Sequence, residues 1–202
     1  MARTTDRRYH HGDLRAALVE AAVELIAERG VHGFSVAEAS RRVGVTTAAP
    51  YRHFADREEL LAAVAVRGLH TFATMAATEA GAAATPERRL AALASAYVRF
   101  AAEHRALFDT LFSAGIDKNR HPELSRAWEP VDALLADARQ ICDGDDDAAE
   151  ALTAAAEATA HGCAMLMVDG EYGQGPDAVE VAARRAAGAT LALIAGRAAL
   201  RA

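Results

Sequence analysis

Apolar side chains recur along this chain at the three- and four-residue intervals of an α-helix, and a strand-like two-residue alternation does not persist. Leu14, Ala17, Leu18, Ala21, Ala22, Leu25 and Ile26 share one face of a first helix, with Arg15, Glu20, Glu24 and Glu28 off that stripe. Asp13 is placed to cap its start and Gly30 to end it. Ser35-Val36-Ala37-Glu38 has the pattern of a capping box, opening a second helix that runs to about Val43. Gly44 suits a left-handed turn, Val45 can plug that turn, and Thr46 can cap a short third helix ending near Phe54. Asp56-Arg57-Glu58-Glu59 then opens a longer helix through Leu60, Leu61 and Val64 to about Ala80.

The remainder is helical as well. Thr85-Pro86 places a cap before a proline at the first helical position, in front of Leu90, Leu93, Tyr97 and Phe100. A short apolar segment with Leu107, Phe108, Leu111 and Phe112 follows, then a break from Gly115 to Pro122. The next helix spans about Glu123 to Ile141, with an interruption or bend expected near Pro130. Two final helices, about Asp147 to Met167 and Asp177 to Leu200, flank the turn-rich run from Gly170 to Pro176. The pattern predicts an all-α fold of about nine helices.

Charge divides the chain. The net charge of −6 is unpromising for a nucleic-acid binder, but residues 1–57 carry nine basic and seven acidic side chains, while the rest carry 13 and 21. A basic end on an acidic body favours one docking orientation toward phosphate. No uninterrupted apolar run approaches the roughly 18 residues that span a bilayer, and the first residues are polar, so a cytoplasmic protein without a membrane partner is expected. Cys142 and Cys163 read as small hydrophobes. The adjacent His10 and His11 have no third metal ligand, and the acids from Asp143 to Asp147 fit a helix start better than a calcium loop, so no metal or other cofactor is expected. No nucleophile triad or phosphate loop marks an enzyme.

From Ser35 to Phe54 the chain reads helix, glycine turn, helix, the spacing that brings a second helix into a DNA major groove. Around it stand Gly44-Val45-Thr46, then Tyr51-Arg52-His53-Phe54, then Arg57-Glu58-Glu59-Leu60. In that order over residues 11–65 they resemble the tetracycline-repressor-like (TetR) family of transcription regulators. The resemblance implies a DNA-binding domain over residues 11–71 and a ligand-sensing and dimerisation domain over 72–202. Candidate DNA contacts are Ser35, Arg42, Thr46, Thr47, Ala48, Tyr51, Arg52, His53 and Arg57. Thr46 and Thr47 would meet phosphate at a helix start, Tyr51, His53 and Arg57 would grip the backbone, and Thr47, Ala48 and Arg52 would read bases. Phe54 reads as core. Pro50 departs from the family's bulky aliphatic and forfeits a hydrogen bond to Thr46. The tract with Arg3, Arg7, Arg8, Tyr9, His10 and His11 is either a minor-groove arm or a solvated tail.

In the body the resemblance is one of architecture. His161-Gly162 with Ala164, Met165 and Leu166 is similar to a His-Gly subgroup of sensor domains, although Glu157 stands where that subgroup has Trp. The resemblance implies a homodimer through the last two helices. The stripe Leu152, Ala156, Thr159, Cys163 and Leu166 would face a second copy, with Val179, Ala183, Ala186, Thr190, Leu193 and Ile194. A small, mainly apolar effector is implied, with Phe72, Met75, Tyr97, Phe100, Phe108, Phe112, Trp128, Leu135, His161 and Met165 as candidate lining. The expected function is repression at a palindromic double-stranded operator, relieved by that effector. A helical protein-interaction module is the alternative.

Overall fold

The computed structural model describes residues 14–201. Asp13 and the basic tract from Arg3 to His11 lie outside the described residues. All regular structure among the described residues is helical, as nine α-helices and three short 3-10 segments.

Helix α1 (Leu14–Gly33) buries Leu18, Ala21, Ala22, Leu25 and Ile26, the expected stripe, and Gly30 interrupts it with φ 73°. Helix α2 (Val36–Val43) starts at Ser35, whose side chain accepts from the Glu38 amide at 3.3 Å. It ends at Gly44 with φ 82°, a left-handed geometry that closes the turn through bonds from the Gly44 and Val45 amides to the Ser40 carbonyl, both 3.0 Å. Helix α3 (Arg57–Gly81) is capped by Asp56, which accepts from the Glu59 amide at 2.9 Å.

Helix α4 (Pro86–Glu103) begins at Thr85 as expected and forms the centre of the body, packed against α3, α8 (Asp146–Val168) and α9 (Pro176–Ala195). Helix α5 (Arg105–Ser113) lies on α1 and α3, and α6 (Pro122–Leu135) lies on α3. Helix α6 is not interrupted at Pro130. Pro130 sits inside α6 on an exposed position, where water can serve the carbonyl that loses its helical donor, and the break falls at Ala136, before α7 (Asp137–Ile141). Asp145 caps α8, and Asp146 pairs with Arg139 at 2.7 Å.

Helices α3 and α8 have the length and apolarity of membrane-crossing helices. In α3 this is largely a core property, since 56% of the apolar stretch is buried within the chain. In α8 only 22% is, most of the remainder being half-buried and a few residues exposed. The uncovered face only partly coincides with the expected stripe, of which Leu166 is exposed and Thr159, Cys163, Val179 and Leu193 are half-buried. Leu152 and Ala156 of α8, and Ala183, Ala186, Thr190 and Ile194 of α9, are buried inside the single chain because both helices pack on α4. Left outside are Met165 and Leu166 on α8, with Gly188, Leu191 and Ala192 on α9.

Candidate functional site

After Gly44 the chain does not resume an α-helix at Thr46. The Ala49 amide donates to the Thr46 carbonyl at 3.0 Å, the Arg52 amide to Ala49 at 3.3 Å, and the His53 amide to Pro50 at 2.8 Å. These three-residue steps produce a 3-10 turn at Pro50–Arg52 in place of the expected third helix. Pro50 supplies the reason: it has no N–H for the Thr46 carbonyl, which Ala49 takes instead. Thr46 and Thr47 therefore offer exposed hydroxyls but not the amides of an α-helix start.

The segment's exposure is sharply divided. Pro50 and Phe54 are buried, the latter 1% exposed, and anchor the segment. Thr46, Thr47, Ala48, Tyr51, Arg52 and His53 all face solvent, Tyr51 at 58% despite its large ring. Six of the nine candidate DNA contacts are thus exposed within this one short segment.

The other three have different tasks. Ser35 is committed to its cap. Arg42 bonds both carboxylate oxygens of Glu28 at 2.8 Å and Glu24 at 3.4 Å, which ties α2 to α1 and holds the Glu28 carboxyl below its ordinary range. Arg57 is engaged within the chain. Its guanidinium turns back to donate to the carbonyls of Val31 at 2.5 Å and Phe34 at 3.3 Å, and lies 5.5 Å from the centre of the Phe34 ring. The break at Gly30 leaves carbonyls at the end of α1 without helical donors, and a half-buried cation meets that need. Arg15, not among the candidates, lies 5.1 Å over Phe54 and is exposed beside the segment. Its charge and its place in the first turn of α1 were the available signals.

In the body, a cavity of about 430 Å³ opens between α3, α4, α6 and α8. Of the candidate lining residues it receives Phe72, Tyr97, Trp128 and Leu135. Leu90, Leu93, Ala94, Val131, Ala156 and Ala160 complete the apolar wall, and Ser125, Asp132 and Glu157 supply polar groups that the pattern of large hydrophobics could not indicate. Phe100 and Phe108 are each 1% exposed and serve as core. With Phe72, Tyr97, Phe112 and His161 they form a ring cluster behind the cavity, with centroid distances from 4.9 to 6.4 Å. The Tyr97 hydroxyl shares a 2.9 Å hydrogen bond with His161 Nδ1. Burial, and secondarily the charge of Glu157, push the Tyr97 phenol well above its ordinary range, so it remains protonated. Met75 packs on the core, and Met165 is a surface residue at 36% exposure.

The two regions are joined through Glu58 at the start of α3. Its carboxylate bonds the Asp117 amide at 3.1 Å, Arg120 at 2.7 Å and the buried His121 at 3.3 Å, while Arg120 also reaches Asp56 at 3.2 Å. His121 immediately precedes α6, the helix that brings Trp128 to the cavity.

Residues 18–64 match the family of bacterial regulatory proteins, tetR family, and residues 90–190 match the tetracyclin repressor-like C-terminal domain. The chain is 32% identical over 166 residues to the HTH-type transcriptional regulator BetI of Rhizobium meliloti (strain 1021), covering 78% of this chain and 75% of that protein. A solved protein of unknown function from Rhodococcus sp. RHA1 superposes with TM-score 0.71 at 30% identity, covering 93% of this chain and 98% of the other. FadR of Bacillus subtilis, solved with stearoyl-CoA, shares the fold with TM-score 0.64 at 19% identity, over 89% of this chain and 96% of its own. By its paired domain matches and its relatives, the chain belongs to the TetR family and is a DNA-binding transcription regulator, not an enzyme.

Proposed function

We propose that this regulator represses transcription as a homodimer on a palindromic operator and releases it when a small, mainly apolar molecule fills the cavity. The exposed segment carries this reading: six exposed residues stand around two buried anchors, Pro50 and Phe54. Arg52 has the chemistry to bond guanine bidentately, Thr47 and Ala48 fit thymine methyls, and Tyr51, His53 and the Thr46 hydroxyl fit phosphate. We assign the grip on the phosphate backbone at the edge of the segment to Arg15, which is exposed, in place of Arg57, which is engaged. The DNA-binding domain extends to about residue 71 and the sensor follows, with α3 unbroken through both. The work is cytoplasmic, where the DNA is.

For the dimer, the supporting observation is the outer face of α8 and α9. Gly162 and Gly188 lie within these helices, and a Cβ at either would meet nothing within 4 Å in the same chain. Glycine in a helix interior costs about 1 kcal/mol relative to alanine, so single-chain packing does not account for it there. Close approach of a second copy does, over the exposed Met165, Leu166 and Leu191. For the effector, the supporting observation is the cavity itself; FadR of Bacillus subtilis and RolR, two proteins of the same fold, were solved with stearoyl-CoA and with resorcinol.

An operator titration tests the reading. Two recognition segments about 34 Å apart should bind a palindrome with twofold symmetry. Arg52→Ala should flatten the preference among operator sequences while leaving dimerisation intact. A monomer that binds DNA as tightly as the dimer, or operator affinity that no cavity-bound molecule alters, would refute it.

A further inference from the structure

The cavity's polar groups are of one sign. Asp132 from α6 and Glu157 from α8 both line it, and no basic side chain does so among the described residues. Neither acid takes part in an ion pair among the described residues. Both are solvated while the cavity is open. The charge of Glu157 is nevertheless felt inside, since it helps to hold the buried Tyr97 phenol in its neutral form. The remaining walls include the aromatic residues Phe72, Tyr97 and Trp128.

A molecule filling this space displaces water from the side of the cavity that Asp132 and Glu157 line. If it is neutral, it leaves less well solvated negative charge without a partner, and if it is anionic it adds repulsion. A cation removes both costs, and aromatic walls are the surroundings in which organic ammonium groups are held when water is excluded. We propose that the effector is an organic cation with an apolar body, with Glu157 and Asp132 as its counter-charges. This deepens the effector-responsive reading and rests on it only for the consequence of binding. Glu157 is one helical turn before His161, so a cation there engages the helix whose outer face is left uncovered.

Trp128, the sole tryptophan, lines the cavity and reports binding by its fluorescence without any DNA present. Three probes of similar body separate the charge classes: 4-phenylbutyltrimethylammonium, 5-phenylpentan-1-ol and 5-phenylpentanoate. The ammonium is expected to bind at least about tenfold more tightly than the alcohol, with the carboxylate weakest. Glu157→Gln should remove most of that preference, and Glu157→Gln with Asp132→Asn should bring ammonium and alcohol within about threefold of each other. Unchanged thermal unfolding of the variants shows that the fold is kept. The proposal is overturned if the alcohol or the carboxylate binds as tightly as the ammonium, if the double variant retains the preference, or if none of the three saturates at millimolar concentration. A parallel operator titration keeps the two readings apart. Ammonium binding that leaves DNA affinity unchanged refutes the inducible reading but supports the cation; release by the alcohol alone does the reverse.

Discussion

The DNA-reading segment and the effector cavity are built in opposite ways. Between Gly44 and Phe54, one short run of chain makes its own turn, buries two of its own residues and exposes the rest. The cavity has no such local origin, because α3, α4, α6 and α8 each bring part of its wall from distant places in the chain. A surface made locally keeps its shape when the whole segment moves as a body. A cavity shared among four helices changes whenever one of them shifts, and that suits it to sensing. Glu58, with its bonds to Arg120 and His121, connects the end of the first to the helix that lines the second.

The largest test of this contrast is Phe54→Ala. Removing a fully buried phenylalanine should cost about 3–5 kcal/mol. If the segment is an independently shaped surface, the loss falls on operator binding and on the stability of the N-terminal helices, while Trp128 fluorescence still titrates with a cavity ligand. Simultaneous loss of cavity binding would make the two regions one cooperative unit.

Next in size is Arg57→Ala. Its guanidinium is held by the Val31 and Phe34 carbonyls, so the change should destabilise the junction of α1 and α3 by about 1.5–3 kcal/mol, as for hydrogen bonds to a charged group. The salt dependence of DNA binding should stay as it was. A fall of about one in the logarithmic salt slope would instead restore Arg57 to the phosphate backbone. Arg52→Ala is the counterpart on the exposed surface. There the expected loss is about 1–3 kcal/mol of discrimination at one base pair, with unfolding unaltered. Melting and sequence selection should therefore separate cleanly between these two arginines.

The contrast also explains how much was legible in the sequence. Caps at Ser35, Asp56 and Thr85, the left-handed Gly44 and the stripe of α1 depend on neighbours within a few residues, and the structure has them where the pattern places them. The short third helix failed for an equally local reason: Pro50 withheld the N–H that would have continued it, and its effect reached Thr46. Arg57 could not be assigned locally, because its partners lie 23 and 26 residues away. The same holds for the cavity. Large hydrophobics at helical spacing fit a core and a pocket wall equally well, so Phe100 and Phe108 were indistinguishable from Phe72 and Tyr97 until α4 and α5 were docked. Glu157 and Asp132 look like ordinary solvated acids unless the helices opposite them are known. On α8 and α9 the small-residue stripe satisfied intrachain packing first, which left the outer glycines as the better mark of a partner.

Those glycines give the smallest expected effect, and the one that tests where the cavity's influence ends. Helix α8 carries Glu157 at the cavity and Gly162 little more than one turn later. In an isolated chain, Gly162→Ala should stabilise α8 by about 1 kcal/mol, since helix propensity improves and the added methyl meets nothing. In a dimer with α8 helices in close contact, the same methyl enters the interface and should weaken association. Unfolding followed over a range of protein concentrations separates the two contributions: the dissociated chain gains stability, while the concentration needed for dimers rises. Gly188→Ala should behave alike on α9. An equal gain at every concentration would mean that no second backbone approaches these positions, and the uncovered face of α8 would then need a different occupant.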